Sequence, residues 1–259
     1  ERRRSAGDAR NVSVSVSNDP VAACARRVAL ALERAVSERG VASVAVSGGS
    51  TAPPLFVELA DHAPGWSKIG VWQVDERIAP DGHADRNAGQ LDALPDDVVR
   101  HLMPVTSADL ATAADRYADG LPHPFDVVHL GLGGDGHTAS WAPSPHPDAR
   151  VVLASPAGVS MIGDFNGRSR MTLGTSVVNA ARLRVVLATG ASKAEVVADW
   201  VHRSRRHGAA WIDPALPIAA GEPADTMVFL DDAAASDLAP AERVGPAEHF
   251  LVDGDSEGV

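Results

Sequence analysis

The sequence predicts an α/β fold: one doubly wound, mostly parallel sheet of the Rossmann type with helices on both faces. Three observations predict it. Short apolar runs alternate with helical patterns along the 259 residues, which is typical of a parallel sheet covered by helices. No internal repeat or long linker interrupts the alternation, so one domain is expected over residues 1–259, with flexible ends at 1–10 and 252–259. Hydrophobic residues make up 45% of the chain, as in ordinary globular proteins.

The first elements follow from residue spacing and from helix-end signals. Residues 11–17 (NVSVSVS) alternate apolar and polar side chains, which predicts a half-exposed strand at a sheet edge. Asp19 and Pro20 then supply an N-cap and a first-turn proline, and Gly40 ends the helix that they open. Cys24 lies on the apolar face of this helix and is expected in the core.

The remaining elements are shorter. Further strands are predicted at 42–46, 69–74, 125–130, 151–154, 184–188 and 226–230. Further helices are predicted at 53–61, 108–120, 175–181, 192–202 and 232–238. Loops are predicted at 154–169 and 203–217.

Composition narrows the class of function. The net charge is −11, from 23 basic and 34 acidic residues, which argues against nucleic acid or an anionic membrane as a partner. No apolar run approaches the length of a membrane span, and the first ten residues lack the apolar core of a secretory signal. A single cysteine excludes an internal disulfide. These features predict a cytoplasmic protein and leave monomer or homodimer open.

In open parallel sheets, ligands bind beyond the carboxyl ends of the strands, and four such positions here are unusual. The first is the loop SGGST, which follows the apolar run 42–46. Its glycines let backbone N–H groups approach an anion, and the following helix start favours negative charge. A tight turn with a hydroxyl cap is the alternative reading. The candidate phosphate-binding residues are Ser47, Gly48, Gly49, Ser50 and Thr51.

The second position is VDER, with Asp75, Glu76 and Arg77 after a strongly apolar strand. Taken alone, three consecutive charges favour an ordinary solvated loop. The segment GHADRN follows closely and brings Asn87 to the same region. Asp75, Arg77 and Asn87 are therefore candidate substrate contacts.

The third position is LGLGGDGHTAS, in which a buried strand runs into a glycine-rich loop. Each glycine costs backbone entropy, so turn geometry alone does not explain their density. Asp135 and His137 are separated by one glycine, and a carboxylate at that spacing can fix the tautomer of an imidazole and raise its basicity. We expect both residues to be catalytic, with Gly133 and Gly134 close to the substrate. A structural histidine, with Asp135 as a loop cap, is the alternative reading.

The fourth position combines RSRMTLG with LATGASK. Lys193, one of only two lysines, opens a predicted helix, where its charge opposes the helix dipole. A nearby anionic ligand would account for this placement, and chance surface placement is the alternative.

Taken together and in this order, SGGST, VDER, HADRN, GLGGDGHTAS, RMTL and GASK resemble the motifs of the 6-phosphogluconolactonase family. The resemblance spans nearly the whole chain. It implies a NagB-like fold and no cofactor. It also implies hydrolysis of 6-phospho-D-glucono-1,5-lactone to 6-phosphogluconate. No metal is predicted, because His101, His123, His129 and His146 do not have the spacing of zinc ligands.

The resemblance also implies roles for individual residues. The histidine of the DGH motif, the family's proposed general base, is His137 here. Arg170 and Lys193 fall on the residues that face the phosphate, and Arg77 falls on a further contact to the substrate.

This chain departs from the family pattern at several places. Gly134 stands where a proline is usual, and WAPS at 141–144 replaces Leu-Phe-Pro-Gly. Arg86 replaces a common serine and is expected near the pocket, and residues 156–170 lack a proline-rich approach to Arg170. Whether Arg86 and Arg168 touch substrate stays open.

Two other functions are compatible with parts of this pattern. A glucosamine-6-phosphate deaminase has a related DGH loop but carries a glutamate five residues after the histidine, where this chain has Ala142. A sugar-phosphate-sensing domain of a transcriptional regulator would be expected to have a basic DNA-binding face, which this chain lacks.

Overall fold

The computed structural model describes residues 12–62, 65–154, 157–207 and 225–243. The flexible ends predicted at 1–10 and 252–259 lie outside these ranges, as does most of the loop predicted at 203–217.

Ten strands and six helices occur in the described residues. The strands are β1 (Val12–Val16), β2 (Ala42–Val46), β3 (Ile69–Gln73), β4 (Asp75–Arg77), β5 (Val99–His101), β6 (Val127–Leu130), β7 (Val159–Phe165), β8 (Arg168–Leu173), β9 (Leu183–Ala188) and β10 (Asp225–Leu230). The helices are α1 (Pro20–Arg39), α2 (Ala52–His62), α3 (Leu110–Asp119), α4 (Ala149–Ala154), α5 (Thr175–Asn179) and α6 (Ala194–His207).

Seven strands form one sheet in the order β1-β10-β9-β6-β2-β3-β5, and every pairing in it is parallel. β1 lies at an edge, as its alternating sequence predicts. The α/β prediction is therefore confirmed. A second, antiparallel sheet in the order β4-β8-β7, which the sequence analysis does not predict, stands beside it.

Two hydrophobic cores cover the two faces of the large sheet. One is built around α1 and α2, with Leu32 and Phe56 fully buried against Val44. The other is built around α5 and α6, with Trp200 against Val186. Helices on both faces leave the carboxyl ends of the strands as the place where loops can gather.

Helix α1 shows how its ends are set by sequence. The Asp19 side chain accepts a hydrogen bond from the backbone N–H of Ala22 at 2.9 Å, which satisfies one free N–H of the first turn. Gly40 ends the helix in the left-handed conformation, at φ 83°. Cys24 is completely buried, as predicted, and burial raises the pKa of its thiol.

The segment between α4 and β8 differs from the prediction. Residues 151–154, predicted as a strand, belong to helix α4, because a short apolar run fits a buried helix as well as a strand. The loop predicted at 154–169 contains β7 and the start of β8. Asn166 and Gly167 join these strands in a two-residue turn at φ 56° and 81°, the backbone shape that an Asn-Gly pair favours in hairpins.

Two further predictions are wrong near the end of the described chain. The predicted loop at 203–217 is helical as far as His207, because α6 continues to that residue. Residues 232–238 form successive turns instead of the predicted helix, with Ser236 and Leu238 each bonded three residues back. Asp231 starts these turns, and its carboxylate accepts from the N–H groups of Ala234 and Gly190.

Within the described ranges, no helix is long and apolar enough to cross a membrane.

Candidate active site

A cleft of about 200 Å³ opens beyond the carboxyl ends of β2, β6 and β9. All the candidate site residues from the sequence line this cleft, except Gly134 and Asp135. The lining residues are Ser47, Gly48, Gly49, Ser50, Thr51, Asp75, Arg77, Asn87, Gly131, Leu132, Gly133, His137, Thr138, Ala139, Arg170, Leu187, Ala188, Thr189 and Lys193.

The loop after β2 forms one wall of the cleft. A side chain at Gly48 would collide with the Asn87 amide, so only glycine lets the loop approach this closely. Gly49 adopts φ 113° and donates its N–H to Gln90 Oε1 at 3.1 Å. The Ser47 hydroxyl is buried and has no hydrogen-bond partner among the residues that the structure describes. It lines the cleft with its bonding capacity unused.

The VDER segment is a buried strand of the small sheet, and the solvated loop expected from its charges is not formed. Asp75, Glu76 and Arg77 are β4, which pairs with β8. Asp75 is only 4% exposed. Its carboxylate accepts from Ser140 Oγ at 2.6 Å and from Asn87 Nδ2 at 3.3 Å.

Glu76 is fully buried and ties the strand to the segment that carries Asn87. Its carboxylate accepts from the backbone N–H groups of Arg77, Asn87 and Ala88 at 2.7–2.9 Å. Arg86 Nε lies 3.1 Å from the same carboxylate. Since buried charges must be paired or hydrogen-bonded, these contacts account for Glu76 in the interior.

Arg86 and Arg168 both point away from the cleft. Arg86, expected near the pocket, is not among the residues that line the cleft, because its buried guanidinium pairs with Glu76 and Asp81. Arg168 pairs instead with Asp85 at 2.8 Å. Neither arginine is among the lining residues.

Arg77 keeps part of its guanidinium free. Its Nη1 donates to Asn87 Oδ1 at 2.6 Å and to the Asp85 carbonyl at 2.8 Å. Its Nε is buried and has no hydrogen-bond partner within the described part of the chain. Arg77 is therefore held in place by neighbours while one donor remains unused beside the cleft.

The glycine-rich loop after β6 folds tightly around the Asp135–His137 pair. Gly133 donates its N–H to the His137 carbonyl at 2.7 Å, and Gly136 has φ 87°. Any side chain at Gly133 would collide with both the His137 ring and the Asp135 carboxylate. Gly134 lies against the Ser192 carbonyl. This glycine density makes room for a carboxylate–imidazole pair.

His137 Nδ1 lies 2.5 Å from Asp135 Oδ1. Partial burial opposes the charge on Asp135, but the hydrogen bonds from the His137 ring and backbone N–H outweigh it. The pKa of the Asp135 carboxyl therefore lies below its ordinary value. An ionised Asp135 holds the proton of the imidazole on Nδ1, which leaves Nε2 as the nitrogen able to accept one.

Arg170 and Lys193 complete the cleft. Burial is the largest influence on Arg170 and lowers the pKa of its guanidinium, while nearby Asp75 opposes that shift. Asp75 lies 3.9 Å from Arg170 Nη1. Lys193 is partly exposed at the start of α6, and it makes no ion pair within the described part of the chain.

Charge separates this cleft from the rest of the molecule. Its lining includes three permanent cations, Arg77, Arg170 and Lys193, and one carboxylate, Asp75. The whole chain carries a net charge of −11. A local excess of cations on an acidic protein favours an anionic ligand at this place.

Sequence reasoning missed three residues that shape the site. Glu76 and Ser140 hold lining residues in place, and Phe165 packs against both His137 and Arg170. The Asn166-Gly167 pair was a usable signal for the hairpin that carries Phe165. No local signal marked Glu76 or Ser140, because their partners are distant in sequence.

No three histidine, cysteine, aspartate or glutamate side chains converge as metal ligands among the residues that the structure describes.

Comparison with known proteins agrees with this geometry. A family model described as glucosamine-6-phosphate isomerases/6-phosphogluconolactonase matches residues 16–228. A 6-phosphogluconolactonase from Streptomyces coelicolor is 34% identical over 250 residues, which cover 87% of this chain and 92% of the relative.

Solved structures share the fold. The crystal structure of a 6-phosphogluconolactonase from Shewanella baltica has a TM-score of 0.71 at 25% identity, covering 87% of this chain and 100% of that one. A monomeric glucosamine-6-phosphate deaminase of the NagB superfamily has a TM-score of 0.67 at 17% identity, covering 87% of this chain and 100% of that one. This second likeness shows the NagB-like fold alone. The chain therefore belongs to the glucosamine-6-phosphate isomerase and 6-phosphogluconolactonase family, and within it to the 6-phosphogluconolactonases, a group of lactone hydrolases.

Proposed function

We propose that this chain hydrolyses 6-phospho-D-glucono-1,5-lactone to 6-phosphogluconate, with His137 as the general base. One observation carries the proposal. The cleft brings the Asp135-bonded imidazole together with three cations and the SGGST loop. No cofactor enters the reaction, and the cytoplasm is the compartment that we predict.

The phosphate end of the substrate fits the cationic part of the cleft. Ser47 Oγ and Arg77 Nε are both buried donors without a partner in the described ranges of the chain, and a buried unsatisfied donor is costly until a ligand supplies an acceptor. Arg170 and Lys193 add charge on the same cleft. Charge-assisted hydrogen bonds from such groups to phosphate are among the strongest in proteins.

The lactone end then lies beside His137. His137 Nε2 takes a proton from water while the water oxygen forms a bond to C1 and the carbonyl electron pair moves onto its oxygen. Backbone N–H groups of the 131–137 loop are suited to stabilise that oxyanion. The C1–O5 bond then breaks, and the ring oxygen takes the proton back from His137. Asp135 stays ionised and stabilises the imidazolium in between.

Ring opening of an amino sugar phosphate is less well supported. Asp75 is the only carboxylate of the lining residues, and Ser140 and Asn87 already bond to it. Ala142, which takes the place of the deaminase glutamate, is buried and apolar. Release of ammonia from glucosamine 6-phosphate would reverse this ranking.

The decisive test is the rate of hydrolysis of freshly prepared 6-phosphogluconolactone, with the spontaneous rate subtracted. We expect an enzyme-dependent rate that saturates with substrate and that is lost in His137→Ala. Tight calorimetric binding of 6-phosphogluconate without any turnover would instead identify a sugar-phosphate-sensing protein.

A further inference from the structure

The tip of the β7–β8 hairpin places an aromatic ring inside the protein. Phe165 is the last residue of β7 and pairs with Arg168 across the Asn166-Gly167 turn. Hairpin tips are usually the most exposed part of a sheet, yet Phe165 is only 7% exposed. The hairpin folds this ring back against the cleft.

The Phe165 ring touches both functional ends of the cleft. Its centroid lies 5.1 Å from that of the His137 ring, with the two planes at 89°. The Arg170 guanidinium carbon lies over the ring at 5.0 Å from its centroid. His137 and Arg170 are thus within a distance that one hexose phosphate can bridge.

The backbone of the same residue adds a third contact. The Phe165 carbonyl accepts from Arg170 Nε at 3.1 Å. Cation–π attraction strengthens when the cation is desolvated, and Arg170 is only 6% exposed. Phe165 therefore holds Arg170 from the ring face and from the main chain, whereas the Asp75 carboxylate is 3.9 Å away.

His137 needs a second constraint as well. The hydrogen bond to Asp135 fixes the position of Nδ1, but the imidazole ring can still rotate about that hydrogen bond. An edge-to-face aromatic contact restricts that rotation and is directional. His146 also packs against Phe165: the centroids of the two rings are 5.7 Å apart, and the ring planes meet at 77°.

We propose that Phe165 is a positioning residue that sets the separation and orientation of His137 and Arg170, so that one hexose phosphate meets both groups at once. This inference rests on the proposed function, and it assigns to the hairpin a part in catalysis that the motifs do not indicate. Because orientation of bound reactants contributes heavily to rate, loss of the ring affects kcat through His137 and substrate binding through Arg170.

The test compares Phe165→Leu, which removes the ring, with Phe165→Tyr, which keeps it. Phe125→Leu is the control, because Phe125 is also buried but its ring packs edge-on against Trp72 instead of against His137 and Arg170. We expect Phe165→Leu to lower kcat about tenfold and to raise KM several-fold. Phe165→Tyr should stay within threefold of the parent, and Phe125→Leu should lose stability without changing either constant.

Double variants separate positioning from general damage. In a His137→Ala background, Phe165→Leu should lower kcat no further, and in an Arg170→Met background it should weaken 6-phosphogluconate binding no further. Full additivity in both backgrounds, or equal loss of activity in Phe125→Leu, would overturn the proposal.

Binding of 6-phosphogluconate by calorimetry keeps the two proposals distinguishable. A parent protein without lactone hydrolysis refutes the proposed function. In that case, binding still tests the positioning role. If Phe165→Leu binds 6-phosphogluconate as tightly as the parent does, the positioning role is refuted as well. If Phe165→Leu binds it more weakly, the part of that role that acts through Arg170 is supported.

Discussion

The two ends of the seven-stranded sheet differ in whether their buried polar groups are hydrogen-bonded to other protein groups. At the amino ends of β2, β3 and β6, a groove of about 460 Å³ contains cations and a carboxylate, as the cleft does. We call it the amino-edge groove; the charged and aromatic residues that line it are Arg39, Lys68, Trp72, His101, His123, Asp126 and Arg182.

In the amino-edge groove, the buried carboxylate of Asp126 is satisfied by its neighbours. Asp126 accepts from the Ser43 N–H at 2.9 Å, the Ser43 hydroxyl at 3.1 Å and Arg39 Nη2 at 2.5 Å. Trp72 stacks on His101 at 4.0 Å and 5°. At the carboxyl edge, by contrast, Ser47 Oγ and Arg77 Nε have no hydrogen-bond partner in the portion of the chain that the structure describes.

The amino edge of the sheet therefore contributes to stability, and the carboxyl edge to function. Mutually satisfied groups hold strand ends together, while unsatisfied donors at the other edge await a ligand. Each edge also carries a histidine and a lysine that can be exchanged in matched pairs, and the amino edge carries the buried Asp126.

The largest expected effect comes from the paired histidines. His137→Ala should lower kcat by about 10²–10⁴-fold, the usual contribution of a general base, and should change KM little. His101→Ala at the amino edge should leave kcat at the parent value. Steady-state hydrolysis of the lactone measures both, and a His137→Ala rate within about threefold of the parent would remove His137 from the mechanism.

The paired lysines test the phosphate end. Hydrogen bonds to charged groups contribute about 1.5–3 kcal/mol, so Lys193→Met should raise KM by about 10–100-fold with a smaller change in kcat. Lys68→Met replaces the only other lysine and lies in the amino-edge groove. Equal KM values for the two variants would show that Lys193 does not contact the substrate.

The sequence predicts the cleft better than it predicts the parts that support it. Residues such as His137 and Lys193 were identifiable because ligand-binding residues follow strands directly, and glycine and charge are conspicuous there. The burial of Glu76 could not be predicted, since two of the backbone N–H groups that stabilise its carboxylate belong to Asn87 and Ala88, eleven and twelve residues later. Phe165 was placed in a loop because its burial depends on His137 and Arg170, which no local pattern reveals.

The buried Asp126 of the amino-edge groove bears on stability. Asp126→Asn keeps the shape but removes the charge that faces Arg39, and we expect the free energy of unfolding to fall by about 2 kcal/mol. Because Asp126 lies at the amino edge, kcat and KM should not change. Urea unfolding followed by tryptophan fluorescence measures the loss, and Asp115→Asn, an exposed site, is the control. A parallel loss of activity in Asp126→Asn would mean that the two edges are coupled.

The smallest expected effect lies between the two edges, at His129 in β6. Its side chain is 1% exposed, and neither ring nitrogen has a hydrogen-bond partner among the described residues. Burial lowers the pKa of this imidazole to about 4, whereas an unfolded chain titrates it near 6.5. Unfolding therefore takes up a proton between these values, and the free energy of unfolding falls as the pH drops through this window.

From pH 7.5 to 5.5, this one group should cost about 1 kcal/mol of stability. His129→Met has nothing to protonate and loses no hydrogen bond, so its unfolding midpoint in urea should decline less over the same range. Because the loss is global, kcat per folded molecule should be the same for the parent and His129→Met at each pH. Identical declines in the two unfolding midpoints would mean that the folded protein protonates His129 as readily as the unfolded chain does. The ring would then have access to water or to an acceptor. In that case the interior around His129 would exchange protons as the cleft does, and the two regions would no longer differ in this respect.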